Sequence, residues 1–479
     1  MTFTPSEKLT PSELERGLKL VVKDGLATEA MASLTGGTFL VAMALYLGAS
    51  NIQIGFLAAM PLFANVFQLL AIWLVQKYNN RRAISIICSI VARFPLFVIA
   101  MLPFAFSGGT SLKILIFLLF LHYAGGAVVG ASWNSWMKDL VPANRLGSYF
   151  SQRTRKIQVL NVTLSLVVAL VLDHIKINYP SYEMVAYSVM FLVGGAIGML
   201  AVVLLSRTPE PKSVKMEGQF FKLILQPMKN RNFRNLVVFN TAWAFALNMA
   251  TPFFSVYMLK DLGLPISYII TLNILSQLFG ILFVKFWGRY ADQFSNKTVI
   301  AICAPIYILC LVGWSFTSMS SISIPLLVII HVLMGVSNSG ISLGINNIGL
   351  KLAPQKDGIV YIAAKNMVTA FIPALAPVIG GLLADFFSNH ELRWNISWNG
   401  PGGLSELQVL RLSNWNFFFA IGSLLALLSL QLLKNVREEG EIDRVIVRGQ
   451  MINQLKAKIK EGSQLKNLWP LSGGRENRA

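Results

Sequence analysis

The chain has 479 residues, 54% of them hydrophobic and 13% charged, with a formal net charge of +19 at neutral pH. Soluble domains are roughly 45–50% apolar and about 25% charged, so the surplus apolar surface must face something other than water, and a bilayer is that something. The positive charge does not indicate a nucleic-acid partner, because the basic residues are dispersed over loops instead of lining one aromatic-studded face.

In chain order, residues 1–24 form a polar, mixed-charge N-terminal segment with no cleavable leader. Thr10-Pro11-Ser12-Glu13 reads as an N-cap, a Pro at the first helical position and a Glu at the third, opening an amphipathic helix with Leu14, Leu18 and Val21. Twelve apolar spans follow, over 25–48, 52–76, 83–106, 112–137, 156–174, 183–206, 235–258, 265–287, 298–318, 324–349, 366–387 and 414–433. Each is near the twenty or so residues that cross a membrane. A linker, 207–234, begins RTPEPK and divides the spans into an N-terminal half (25–206) and a C-terminal half (235–433). Its QFFKLIL (219–225) reads either as a surface amphipathic helix or as solvated linker. The connection 388–413 carries Trp394 and Trp398, suited to interface anchoring or to a lid over the outer mouth. In the tail, 434–479, Ile442, Val445, Ile446, Ile452, Leu455 and Ile459 recur among cations at near-helical spacing and predict an amphipathic helix. Cys88, Cys303 and Cys310 lie within spans without metal-ligand or redox spacing, so they read as core filler and no metal is expected.

Of the 41 Lys and Arg, 35 fall on the N-terminal segment, the even-numbered connections and the tail. The odd-numbered connections hold only Lys113, Lys176, Lys260, Arg393 and Arg411, and Arg93 lies inside a span. The positive-inside rule then places both termini in the cytoplasm, as expected for a multi-pass protein of a plasma (inner) membrane. The +19 charge is a topogenic signal, reinforced by attraction to anionic inner-leaflet lipid.

The two halves also resemble each other. LVPANRLGSYFSQRT (140–154) and LAPQKDGIVYIAAKN (352–366) follow spans 4 and 10, and an offset of 212 pairs Asn134 with Asn346, Pro142 with Pro354, Tyr149 with Tyr361 and Arg153 with Lys365. An offset of 215 pairs Arg82 with Lys297 and Cys88 with Cys303. Matches at one topological place in each half indicate a duplicated six-helix unit, and two related bundles around a cavity are a transporter architecture.

Between spans 8 and 9, WGRYADQFSNK (287–297) resembles the loop signature G-x-x-x-D-x-x-G-R-K of the major facilitator superfamily, with Gly288, Asp292 and Lys297 matching and Ser295 and Asn296 departing. The counterpart WLVQKYNNRR (73–82) has Trp73 for the Gly and Lys77 for the Asp, keeping Arg81 and Arg82. The resemblance implies an all-α membrane protein of twelve transmembrane helices in two pseudo-symmetric six-helix bundles around a central cavity. It also implies that spans 1, 4, 7 and 10 line the cavity, and that Gly288, Arg289, Asp292, Lys297 and Lys365 form a cytoplasmic gate that holds the outward-open state. An acid near a helix start and cations is favourable on physical grounds. The alternative for Arg289, Asp292 and Lys297 is a solvated loop cluster.

Ionisable groups at bilayer depth need a partner or water and are functional candidates. Glu29, Arg93, His122 and His331 qualify, Arg93 about 16 Å and His122 about 15 Å along their spans from the membrane edge. His122 reads either as a proton carrier or substrate donor, or as a histidine bonded to a neighbouring helix. Arg93 and Glu29 are expected to meet as a buried ion pair, the alternative being direct substrate contact, and His331 reads equally as an interface residue. Asn65, Gln68, Trp243, Asn248, Asn273, Gln277 and Asn338 lie at middle depths, where they either bind a polar solute or knit helices together.

No phosphate-binding loop, zinc-protease motif or carboxylate pair appears, so neither direct ATP drive nor an enzyme is expected, and no cofactor. Span 5 lacks the Gly- and Pro-rich stretch of the superfamily's drug antiporters, whereas APVIGG (376–381) in span 11 resembles part of it. The expectation is a monomeric secondary transporter in the lipid bilayer, moving a small-molecule substrate of polar character, with a proton as possible coupling ion. An amphiphile exporter or flippase is the runner-up, and a non-transporting sensor the alternative of another class.

Overall fold

The computed structural model describes residues 5–7, 9–106, 108–212, 226–317, 323–353, 358–400, 403–413 and 415–438. Among these, twelve helices are long and apolar enough to cross a membrane. The first bundle comprises α1 (Pro11–Tyr46), α2 (Asn51–Tyr78), α3 (Arg81–Ala105), α4 (Gly109–Leu140), α5 (Leu146–Asn178) and α6 (Pro180–Ser206). The second comprises α7 (Arg231–Lys260), α8 (Ile266–Gln293), α9 (Asn296–Trp314), α10 (Ser323–Leu352), α11 (Ala364–Phe387) and α12 (Trp415–Asn435). With an even number of crossings both described chain ends lie on one side, here the terminal side; the other is the distal side.

Local chemistry fixes the helix starts. Thr10 and Glu13 form the expected capping box, and Ser50 and Gln53 form a second at α2. Asn80, Asn230 and Ser295 cap α3, α7 and α9 through their side chains. The amphipathic N-terminal segment and the first span are one helix through residue 24, interrupted only at Gly36. The segments 219–225 and 442–459, read as possible amphipathic helices, lie outside the described residues.

The 388–413 connection is not plain loop. It contains an antiparallel hairpin, β1 (Glu391–Gly400) and β2 (Gly403–Ser413), with a register irregularity at Trp394/Asn395. Alternation of Leu392, Trp394, Ile396 and Trp398 is the period-two pattern of a strand. The twelve-helix fold is otherwise as expected.

Each bundle has its own apolar core, and each lends residues to the other at the distal seam. Ile54 of α2 belongs to the second core, while Ile266 and Ile270 of α8 belong to the first. Aromatic packing stiffens the second bundle on this side, where Phe254 stacks on Trp314 at 4.3 Å and Tyr257 donates to the Thr317 carbonyl at 2.6 Å.

Candidate functional site

Among the described residues, each bundle has a pocket with polar side chains set in its wall. The first, about 230 Å³, lies among α1, α3, α4 and α5, with Asp24, Ser89, Arg93, His122, Trp133 and Arg153 in its wall. The second, about 290 Å³, lies among α7, α10 and α11, with Asn240, Trp243, Asn248, Asn338, Asn346 and Lys365. The 212 offset pairs Gly126 with Asn338, Val129 with Ile341, Gly130 with Ser342, Trp133 with Ile345 and Arg153 with Lys365, and every one of these lines its pocket. An offset of 216 pairs Asp24, Thr28 and Met31 with Asn240, Ala244 and Leu247, again all lining. The two pockets are therefore one duplicated site that has diverged, charged in the first half and amide-rich in the second.

Helical spacing builds the first pocket. Asp24, Thr28 and Met31 fall on one face of α1 at i, i+4 and i+7. Arg93 is 5% exposed, and its Nη2 donates to Thr28 Oγ1 at 3.3 Å. The Arg153 guanidinium covers the Trp133 ring at 4.8 Å, a cation–π contact. Gly25 makes room for that guanidinium, since a Cβ there would sit 2.7 Å from Arg153 Cζ. His122 Nδ1 lies 2.7 Å from the Ala92 carbonyl. A carbonyl only accepts, so Nδ1 carries the proton and Nε2 is the basic nitrogen left for the pocket. His122 is thus bonded to a neighbouring helix and also lines a cavity.

The expected Glu29–Arg93 pair does not form. Glu29 accepts from Asn161 Nδ2 at 2.7 Å, and the carboxylate that faces Arg93 is Asp24. The reason is rotation: Glu29 is one residue past Thr28, hence about 100° further round α1. In the second half the structure brings Trp243, Asn248, Asn338 and Lys365 together, and adds Asn240, Asn346 and Asn366. Lys365 Nζ donates to Asn346 Oδ1 at 3.0 Å. Asn65 accepts from Gln68 at 2.8 Å where α2 tightens into a 3-10 turn. Asn273 and Gln277 on α8 lie outside both pockets, and His331 is a core residue edge-on to Trp314.

The bundles meet through α2 with α11, α5 with α8, and the distal part of α1 with α7 and α8. Two carboxylates clasp this distal seam. Asp173, at the end of α5, accepts from the Ile266 and Ser267 amides at the start of α8, both at 2.8 Å. Asp385, at the end of α11, accepts from the Asn51 and Ile52 amides at the start of α2, at 3.2 and 3.0 Å. The carboxylates are 212 residues apart and the capped amides 215, so this is again one device used twice. The APVIGG stretch serves the same seam. A Cβ on Gly55 would strike the Pro377 carbonyl, and one on Gly381 would come within 2.6 Å of Ile52 Cα.

No comparable contact joins the bundles on the terminal side among the described residues. There Asp292 is exposed and has no hydrogen-bond or ion-pair partner among them, Arg289 is exposed, Gly288 is half-buried, and Lys297 and Lys365 are buried apart. Two other carboxylates, unforeseen in the sequence, cap helix starts within their own bundles. Glu210 takes the Arg81 and Arg82 amides at 2.9 and 3.0 Å and the Arg81 Nε at 3.1 Å, while Arg81 also binds Asp139. Glu438 takes the Lys297 amide at 2.8 Å, Asn296 Nδ2 at 2.7 Å and Lys351 Nζ at 2.8 Å. Burial works to raise the Glu438 pKa, but these bonds outweigh it and hold the carboxyl below its ordinary value.

Two duplicated helical bundles, clasped to each other on one side, define a transporter-type membrane fold. The sequence matches the profile of the Major Facilitator Superfamily over residues 26–363 and 242–450, and the chain belongs to that superfamily. The fold is similar to a mutant form of the nucleoside transporter NupG (TM-score 0.65, 13% identity, 89% of this chain and 100% of that one). It is also similar to a bacterial homologue of the iron transporter ferroportin in an inward-facing state (0.62, 11%, 90% and 100%) and to a D-xylose–proton symporter (0.60, 14%, 90% and 98%). No curated protein matches the sequence significantly.

Proposed function

We propose that the protein is a secondary transporter that moves a small polar solute by alternating access, with His122 as a proton carrier. The observation that carries this reading is the pairing of a doubly clasped distal seam with two equivalent polar pockets on the helices beside the cleft. A clasp of four amide–carboxylate bonds is strong enough to hold one state and weak enough to be exchanged for another. Asp292, without a partner here, supplies the opposing clasp when the terminal side closes. The charge bias makes the terminal side cytoplasmic, so the state described is inward-facing. The amide-rich wall of the second pocket and the charged groups set into the otherwise apolar wall of the first favour a solute with polar groups over a wholly apolar one.

The test is uptake by reconstituted vesicles of screened polar solutes, with and without a pH gradient. Movement of none in either direction, alongside specific binding, would mean a sensor and not a transporter. His122→Gln is expected to lose gradient-driven accumulation while keeping solute exchange; unchanged accumulation removes His122 from coupling.

A further inference from the structure

Ten buried side-chain polar atoms lack a hydrogen-bond partner among the described residues, and four of them line the first pocket. They are Asp24 Oδ1, Ser89 Oγ, Arg93 Nη1 and Trp133 Nε1. An unsatisfied buried polar group costs about 1–3 kcal/mol, more when charged, and four of them fall on the lining residues of this one cavity. The second pocket, at the equivalent place, contains none of the ten.

The chemistry of these atoms specifies the complement. Arg93 Nη1 and Trp133 Nε1 can only donate, an ionised Asp24 can only accept, and Ser89 can do both. The lining charges are one Asp against Arg93 and Arg153, which leaves one positive charge uncompensated within the pocket. Glu29 lies outside the lining with its carboxylate bonded to Asn161, and it acts on Arg153 only through space. The volume is below the roughly 300–1,000 Å³ of drug-sized pockets, which limits the occupant to a small metabolite.

We propose that this pocket binds a small organic acid that also carries a hydrogen-bond donor, that is, an amino acid or a hydroxy acid. Its carboxylate sits between Arg93, Arg153 and the Trp133 indole N–H, and its ammonium or hydroxyl donates to Asp24 Oδ1. Divergence of the duplicated site fits an asymmetric ligand: Asp24, Trp133 and Arg153 face Asn240, Ile345 and Lys365 at the equivalent positions, so only the first pocket offers a carboxylate with two guanidinium groups. The proposal deepens the transport reading and rests on it for the solute's onward movement.

Binding to the full chain in detergent is measured by calorimetry and by thermal unfolding, with serine, alanine, lactate and glycerate as ligands. Propionate serves as an acid without a donor, and glycerol as a neutral control. At least one amino or hydroxy acid is expected to bind, with propionate weaker and glycerol silent. Arg93→Gln should weaken that binding about tenfold or more, the loss of a hydrogen bond to a charged group. Trp133→Phe keeps the ring and should weaken it severalfold with unfolding of the free protein unchanged. Asp24→Asn should narrow the gap between the bound acid and propionate. Silence from all four acids, or affinities unmoved by both Arg93→Gln and Trp133→Phe, overturns the proposal. Binding without flux in vesicles would leave the pocket standing and remove the transport reading. Flux indifferent to all three substitutions would do the reverse.

Discussion

Replacing Asp173 and Asp385 with Asn should release the distal seam. Each carboxylate accepts two backbone amides from the first turn of a helix in the opposite bundle, Asp173 at 2.8 Å and Asp385 at 3.2 and 3.0 Å. Asn keeps one acceptor oxygen but loses the charge, so the loss is the charge–helix attraction plus one bond, about 1 kcal/mol per site, toward 2 where partly buried. The two clasps share no partner and act on the same rigid-body equilibrium, so their effects should add to about 2 kcal/mol. That corresponds to about fivefold for either single variant and about thirtyfold for the pair. Because Asp173 makes the shorter bonds, its single variant should have the larger effect. Spin labels at Tyr78→Cys and Gln293→Cys, exposed on the terminal ends of α2 and α8, report the cleft width after Cys88, Cys303 and Cys310 are replaced. The double variant should gain a shorter-distance population as the terminal side closes. A distance distribution indistinguishable from the parent's would refute the reasoning, since the carboxylates would then be bystanders to the seam.

Two further outcomes follow from the same seam and caps. Gly55→Leu places a side chain against the Pro377 carbonyl, so it should disfavour the distal-closed state and mimic the double Asn variant, read by the same labels. The Glu438 carboxyl is held below its ordinary value, so its contribution is complete above the unfolded carboxylate range near pH 4.3 and is lost as pH falls through and below it. Hydrogen exchange at the Lys297 amide, corrected for intrinsic rate, should therefore accelerate on acidification, and Glu438→Gln should remove that pH dependence while leaving the Arg81 amide, bound to Glu210, protected.

The number of spans and their duplication were legible in the sequence because composition acts over whole segments, where errors of a few residues cancel. Single-residue geometry was less so. Asp24 was grouped with the polar N-terminal segment, although α1 runs through it and carries it to within reach of Arg93 and Arg153. Glu29 drew attention as the deeper acid, but one residue of helical rotation turns it to Asn161. Asp173 and Asp385 look like ordinary solvated ends of apolar spans; only the 212 offset, already visible at Arg153 and Lys365, would have paired them. Glu210 and Glu438 lie in stretches whose composition reads as linker and tail, and nothing local says that each caps a helix start 129 residues (Arg81) and 141 residues (Lys297) earlier. The hairpin was masked because its two tryptophans suit a membrane interface as well as they suit a strand.

The duplicated features fall into two classes, and the division has a physical basis. At the distal seam the two halves keep the same residue, Asp173 and Asp385, against the same type of helix start. A rigid-body closure about a pseudo-two-fold axis loads both sides alike, so unequal clasps would leave one edge to open first. At the terminal side Lys77 stands where the second half has Asp292, so under the proposed alternating access only one carboxylate clasp of this kind would form there. On that reading the distal-closed state has twice the number of carboxylate caps, and a solute or a proton would have to offset about 1–2 kcal/mol to populate the opposite state equally. The pockets follow the contrary rule, since the proposed small acid has one carboxylate and one donor and could not present the same face to both halves. Asp24 opposite Asn240 and Trp133 opposite Ile345 are the divergence that such an asymmetric ligand would select, on a frame that keeps its symmetry at the distal seam.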